Sequence, residues 1–361
     1  MQTEPVVYEH PVRGGLGDPS ILGLNGLDRM RLALERKWVP PPTYHLTGLQ
    51  PTQVGEGTAT FTMPATRWWQ SAAGVFLGGT LAFLADAPLG CAVITALGPG
   101  KVLATSELSM NYLRPATISS GLLTGHSRVA HIGRSLGLSD VRIEDSRGQT
   151  LALGSSRLFI IDLGDIDPPP DVTAVYEPPT FATPDPYLRD APGDLIPGED
   201  IASISGLEFW NNFLQGQWQP PPLYYLTGFQ PQEVSEGAMT FTMPASGWMM
   251  SPAAIIYGGA TAMFADMALT GVVATIAPAG TAYATLDLKV HFLRRVQTDG
   301  RILTARARVI HHGRSFAVST VEIIDADGKR VATATGSSML LPGRMLDLTH
   351  PVIPEEEAAQ E

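Results

Sequence analysis

The chain repeats itself. WVPPPTYHLTGLQP, Trp38 to Pro51, returns 180 residues later as WQPPPLYYLTGFQP, Trp218 to Pro231. TFTMPA at Thr60 returns at Thr240, GGTLAFLAD at Gly78 returns as GGATAMFAD at Gly258, and HIGRS at His131 returns as HHGRS at His311. That period is far longer than any solenoid repeat. Each copy must therefore be a whole domain with a core of its own. Between the copies, Gly164 to Asp200 holds nine of the 30 prolines, PPP at Pro168 to Pro170 among them. Such a stretch makes neither a helix nor a central strand and reads as an extended linker. The division is an N-terminal domain over 1–163, a linker over 164–200, a C-terminal domain over 201–345 and an acidic tail over 346–361.

The pattern within one copy is helix, strand, helix, then strands. A short helix is expected over Leu27 to Arg36 and over Gly206 to Leu214, stopped by the prolines that follow. Thr58, Thr60 and Thr62 alternate with Ala59, Phe61 and Met63, a half-buried strand. A long apolar helix opens at Gly78-Gly79, and strands follow over Ala104 to Leu113, Gly121 to His131, Ser135 to Glu144 and Thr150 to Ile161. A helix apolar on nearly every side is covered all round. The fold class is therefore α+β: in each copy an antiparallel sheet wraps one long central helix.

The stretch from Gly78 to Leu97 is almost long enough to span a bilayer, but it carries Asp86 and Pro88. A central aspartate is costly in lipid, so a buried helix is expected. No basic segment followed by an apolar run opens the chain, so no signal peptide is read and the expected location is cytoplasmic. With 35 acidic against 24 basic residues the net charge is -11, which disfavours nucleic acid and anionic membrane as partners. The single cysteine, Cys91, excludes an internal disulfide and a multi-cysteine zinc site, and no histidine pair has metal-binding spacing. No metal and no cofactor are expected.

Asp86 and Asp266 stand out from the residues alone. Each lies inside an otherwise uncharged helix, where an unpaired carboxylate costs several kcal/mol, roughly. Small residues flank each at helical spacing: Gly79, Ala82 and Gly90 beside Asp86, and Gly259, Ala262 and Thr270 beside Asp266. A slender ligand could approach there. The alternative is a structural aspartate bonded to backbone. The glycine pair sits at the helix N-terminus, where free N–H groups favour negative charge. Donors of that kind stabilise an oxyanion, and a nearby carboxylate can act as nucleophile or as base on water.

The run GG-x5-AD opening an apolar helix, a strand ending LRPA at Leu113 to Ala116, and then HxGRS resembles the PaaI-like, hotdog-fold acyl-CoA thioesterases. The resemblance covers most of both copies. It implies two hotdog domains packed as an intramolecular pseudo-dimer, with two sites at their interface. It also implies a coenzyme A thioester as substrate and allows a homodimer of such double chains. Site one would combine Ser71 and Gly78 with Asp266, Thr270 and Thr285. Site two would combine Ser251, Tyr257 and Gly258 with Asp86 and Thr105. Gly133, Arg134 and Ser135, with Gly313, Arg314 and Ser315, would run along the coenzyme A. Arg114 and Arg294 are lesser candidates for that role.

The chain departs from the family pattern N-x5-HGG. Ser71 and Ser251 stand at the asparagine position, and Leu77 and Tyr257 at the histidine position. Three readings follow: a thioesterase, a non-catalytic acyl-thioester binding module, and a hydratase. The last needs a His–carboxylate pair, and no histidine lies on the helix beside either aspartate. Pro88, aligned with Ala268, is expected to kink or break the first long helix. Thr270 gives site one a hydroxyl that Gly90 denies site two, so Asp266 is expected to carry most of the activity. His131, His311 and Cys91 read as packing residues. Trp68, Trp69, Trp248, Met249 and Met250 read as core or acyl-pocket lining.

Overall fold

The computed structural model describes residues 11–169, 176, 177 and 179–343. The terminal tail at 346–361 lies outside them. In the first copy the elements are α1 (Gly26–Leu34), α2 (Pro42–Thr47), β1 (Gln50–Gly55), β2 (Thr58–Pro64), α3 (Gly78–Thr95), β3 (Lys101–Tyr112), β4 (Leu122–Ile132), β5 (Leu136–Glu144) and β6 (Thr150–Asp162). A further helix, α4 (Gly198–Ser203), precedes the second copy. That copy repeats the order: α5 (Gly206–Leu214), α6 (Pro222–Thr227), β7 (Gln230–Ser235), β8 (Ala238–Pro244), α7 (Gly258–Ala274), β9 (Thr281–Phe292), β10 (Ile302–His312), β11 (Phe316–Ile324) and β12 (Arg330–Pro342).

The twelve strands of the described residues form one sheet in the order β1-β2-β4-β5-β6-β3-β9-β12-β11-β10-β8-β7. The seam is the antiparallel pair β3–β9, from Glu107 opposite His291 to Asn111 opposite Asp287. Within each copy the strands curl about the long helix, with β1 to β6 against α3 and β8 to β12 against α7. Ala59, Phe61 and Met63 of β2 point inward and are buried, as their alternation requires. One apolar core runs through both copies, with Phe83 and Leu84 of α3 and Met263 and Phe264 of α7 in it. Trp68, Trp69, Trp248 and Met249 are buried there too. Helix α3 is long and apolar enough to cross a membrane, and most of it is buried inside the protein.

Several sequence expectations are corrected. The prolines after α1 and α5 do not merely stop a helix. Pro42 and Pro222 start α2 and α6, because the first turn of a helix needs no N–H from them. Strands β1 and β7 were missed, since each contains a proline and lies at a sheet edge, where a missing donor costs nothing. Pro88 does not break α3, which runs on to Thr95. Next to it, the Tyr257 hydroxyl from the other copy donates to the Phe83 carbonyl at 2.9 Å. The linker is not bare polyproline. Pro186, Ala191 and Ile196 are buried, Trp68 Nε1 donates to the Arg189 carbonyl at 3.0 Å, and Asp185 pairs with Arg13 at 2.9 Å.

Candidate active site

The two long helices meet at their glycine-rich starts, and each carries its aspartate to the other's N-terminus. The Gly79 amide donates to Asp266 Oδ2 at 2.7 Å, and the Gly259 amide donates to Asp86 Oδ2 at 2.9 Å. Only glycine permits this approach. A Cβ on Gly79 would lie 2.8 Å from the Met263 Cα, and one on Gly259 would lie 2.6 Å from the Phe83 carbonyl oxygen. A Cβ on Gly258 would fall 2.7 Å from Asp86 Oδ2 itself. The sequence pointed to Gly78 and Gly258 as the donors. The carboxylates take the second glycine of each pair, and among the described residues the amides of Gly78 and Gly258 meet no acceptor. Those free N–H groups at helix N-termini remain available to an incoming oxygen.

Both carboxyls are displaced toward neutrality by burial. Asp86 is pushed up to about 6, with the Gly259 amide and the Thr105 hydroxyl pulling it back. Asp266 is pushed up to about 7, with only the Gly79 amide opposing. Asp266 is wholly enclosed, and its Oδ1 has no hydrogen-bond partner. Asp86 keeps 8% of its surface exposed.

Thr105 and Thr285 occupy matching places. The register of β3 slips between Thr105 and Glu107, and that of β9 between Thr285 and Asp287. A bulge beside a site re-aims the side chain next to it. On β3 it adjoins Thr105, whose hydroxyl draws the pKa of Asp86 down. On β9 it turns Thr285 to Thr270, hydroxyl to hydroxyl at 3.0 Å. Two of the site-one residues, Thr270 and Thr285, are thus brought together, and among the described residues neither hydroxyl is bonded to the carboxyl of Asp266.

Ser71 and Ser251 close the loop before each long helix. Their hydroxyls donate to the carbonyls of Val75 and Ile255, at 2.7 and 2.9 Å. Neither serine is hydrogen-bonded to either carboxyl among the described residues. Tyr257 is buried and its phenol is engaged with Phe83, so it packs at site two and is not free to hold coenzyme A. Leu77, at the matching place, offers no polar group.

The HxGRS segments form the β4–β5 and β10–β11 turns. Arg134, Ser135, Arg314 and Ser315 are exposed there, with Gly133 exposed and Gly313 half-buried. The register aligns Leu136, Phe159 and Ala104 across β5, β6 and β3, so the Arg134 turn lies at the Thr105 end of the sheet. Phe316, Met339 and Ala284 do the same beside Thr285. Arg114 and Arg294 instead tie the sheet corner, each donating to the first carbonyl of the neighbouring strand region, Thr150 and Arg330. His131 and His311 are exposed, the ring of His311 lying 6.4 Å from that of Phe316. Among the described residues no cluster of His, Cys, Asp and Glu could hold a metal.

The two sites differ in what adjoins them. On α3, Ala87, Gly90, Cys91 and Ile94 are only half-buried and make one accessible strip leading away from Asp86. On α7, Met267, Gly271 and Ala274 at the matching positions are buried, and only Thr270 is not. Trp210 of α5 covers that face, its Nε1 donating to the Gly271 carbonyl at 3.0 Å. The strip was not legible in the sequence, because α1 and α5 share position but not side-chain bulk.

The class this fold defines is a pair of hotdog-type domains in one chain. The thioesterase superfamily model matches residues 73–152 and again 253–332, one match in each copy. The tesB protein of Mycobacterium avium subspecies paratuberculosis shares the fold at TM-score 0.51 and 16% identity, over 88% of this chain and 100% of its own. A candidate thioesterase from Novosphingobium aromaticivorans does so at TM-score 0.50 and 15% identity, over 81% of this chain and 98% of its own. No match was found among curated proteins.

Proposed function

We propose that the chain is an acyl-CoA thioesterase of the PaaI-like type, working as an intramolecular pseudo-dimer, with Asp86 as its principal catalytic residue. The observation that carries this is the crosswise bond between each helix carboxyl and the glycine amide that opens the other helix. It sets a carboxyl of raised pKa beside a free helix N-terminal amide, the two functions that thioester hydrolysis needs.

In this reading the thioester carbonyl oxygen accepts from the Gly258 amide. Asp86, ionised above about pH 6, takes a proton from a water molecule. The resulting hydroxide attacks the carbonyl carbon, and the oxyanion forms against the helix N-terminus. Collapse breaks the C–S bond, and the coenzyme A thiolate recovers the proton held by Asp86. The products are the free acid and the thiol. The Gly259 amide keeps the carboxyl aimed, and Thr105 supports its charged form. The accessible strip of α3 receives the acyl chain, and the Arg134 turn lies toward the phosphates.

The ranking by which Asp266 would dominate is replaced here. Asp266 is sealed and lacks its threonine partner, whereas Asp86 has both access and Thr105. The test is release of free coenzyme A from a series of acyl-CoA substrates, with Asp86→Asn, Asp266→Asn and the double variant. A second reading, a non-catalytic acyl-thioester binding module, draws on the engagement of Ser71 and Ser251 with their own loops. Tight binding of acyl-CoA without any thiol release would favour it.

A further inference from the structure

Arg29 of α1 is 94% out of solvent, at 6% exposure, and no described residue neutralises it. Its Nε and Nη2 are both enclosed and neither has an acceptor. No ion pair forms on it among the described residues. An unpaired guanidinium in such a place costs several kcal/mol, roughly. Nε and Nη2 share one edge of the planar group and project two parallel N–H bonds, the arrangement that grips a carboxylate with both oxygens.

The surroundings of Arg29 follow from the packing. Helix α1 lies on α3, with Gly26 set directly against the carbonyl of Ile94. Cys91, on the half-buried strip, lies in the electrostatic neighbourhood of both Arg29 and Asp86, and burial keeps its thiol neutral by pushing it up to about 12. The half-buried ring of Tyr44 stands beside Cys91 as well. The strip therefore runs from the Asp86 carboxyl, past Gly90 and Cys91, to Arg29. Five residues of helix separate Asp86 from Cys91, about 7.5 Å along the axis. The second copy has no such arrangement. Phe209 aligns with Arg29 and belongs to an aromatic cluster with Trp210 and Phe213, its ring 5.2 Å from that of Trp210. The cation has replaced packing in one copy only, the copy with the open strip.

We propose that Arg29 receives a carboxylate at the far end of the acyl chain, so that the Asp86 site prefers ω-carboxyacyl thioesters, the coenzyme A esters of dicarboxylic acids. This rests on the hydrolytic reading of that site and names its substrate class. The reaction is unchanged: water cleaves the C–S bond and a dicarboxylic acid leaves with the thiol.

The experiment compares adipoyl-CoA with hexanoyl-CoA, which differ only in the terminal group, on the full chain and on Arg29→Met. The kcat/KM ratio of adipoyl to hexanoyl is expected to be about ten to a hundred in the native chain, the range of one or two charge-assisted bonds. It should fall to about one or below in Arg29→Met, through KM. Arg29→Lys keeps the charge without the fork and should fall between, which also serves if Arg29→Met does not fold. A native preference for hexanoyl-CoA, or an equal loss on both substrates, overturns the inference. Equilibrium binding of the same two thioesters to Asp86→Asn separates it from the hydrolytic reading. Tighter binding of adipoyl-CoA that depends on Arg29 upholds the inference even in a chain that hydrolyses neither. Equal binding of both sinks it even in a chain that hydrolyses both.

Discussion

Replacing Asp266 by asparagine should stabilise the protein, and by more as the pH rises. The unfolded carboxyl titrates near 3.8, and burial moves the folded one to about 7. Below pH 3.8 the group is protonated in both states and has no effect. Between 3.8 and 7 the unfolded chain sheds the proton and the folded chain keeps it, so stability falls with rising pH. Above 7 the full cost is reached. At 1.36 kcal/mol per pKa unit, it is about 2 kcal/mol at pH 5 and about 4 kcal/mol at pH 8.5. Asparagine keeps an acceptor for the Gly79 amide and does not titrate, so any packing change it brings is the same at both pH values. The advantage of Asp266→Asn over the native chain should therefore grow by about 2–3 kcal/mol from pH 5 to 8.5. Urea unfolding at the two pH values measures it. A difference that stays flat with pH would mean that the Asp266 carboxyl is not titrating in a desolvated site, and the reasoning from its burial would fail.

Asp86→Asn should lower kcat on acyl-CoA by on the order of a hundredfold or more, and Asp266→Asn by much less. Equal losses in the coenzyme A release assay would refute the assignment to Asp86. If Asp86 is the base, kcat/KM should rise with pH through an apparent pKa of about 6 and then level off. A profile flat between pH 5 and 8 would exclude that role. Gly79→Ala, whose Cβ meets the Met263 backbone at 2.8 Å, should cost on the order of 1–3 kcal/mol and weaken the contact between the copies. Gly98→Ala, with nothing within 4 Å, serves as the control in the same melts, and equal effects would contradict the close helix approach.

Much of this protein is legible in one reading of the chain. The duplication declares two similar domains because two copies of one pattern meet the same physical demands. The alternation of β2, the turn residues between β3 and β6 and the apolar run of α3 act locally, and so they appear in local sequence. A lone aspartate in such a run is visible for the same reason, since burying a carboxyl needs compensation wherever it occurs. The edge strands β1 and β7 and the helices α2 and α6 were hidden, because proline is read as a breaker until the sheet edge or the helix start is known.

Tertiary structure decided which partner each aspartate has. Gly78 and Gly79 are equivalent by composition, and only the crossing of α3 and α7 selects the second as donor to Asp266. The fate of Thr270 turned on a bulge in β9 that no residue pattern marks. Arg29 and Phe209 are each ordinary on a short surface-packed helix. What makes the first a buried, unpartnered cation beside a half-buried strip is the packing of α1 on α3, and what makes the second a plug is the aromatic cluster around it. Sequence records side-chain chemistry and its local period. Burial, orphaned donors and the choice between two like neighbours depend on residues far apart in the chain, and those meet only in the fold.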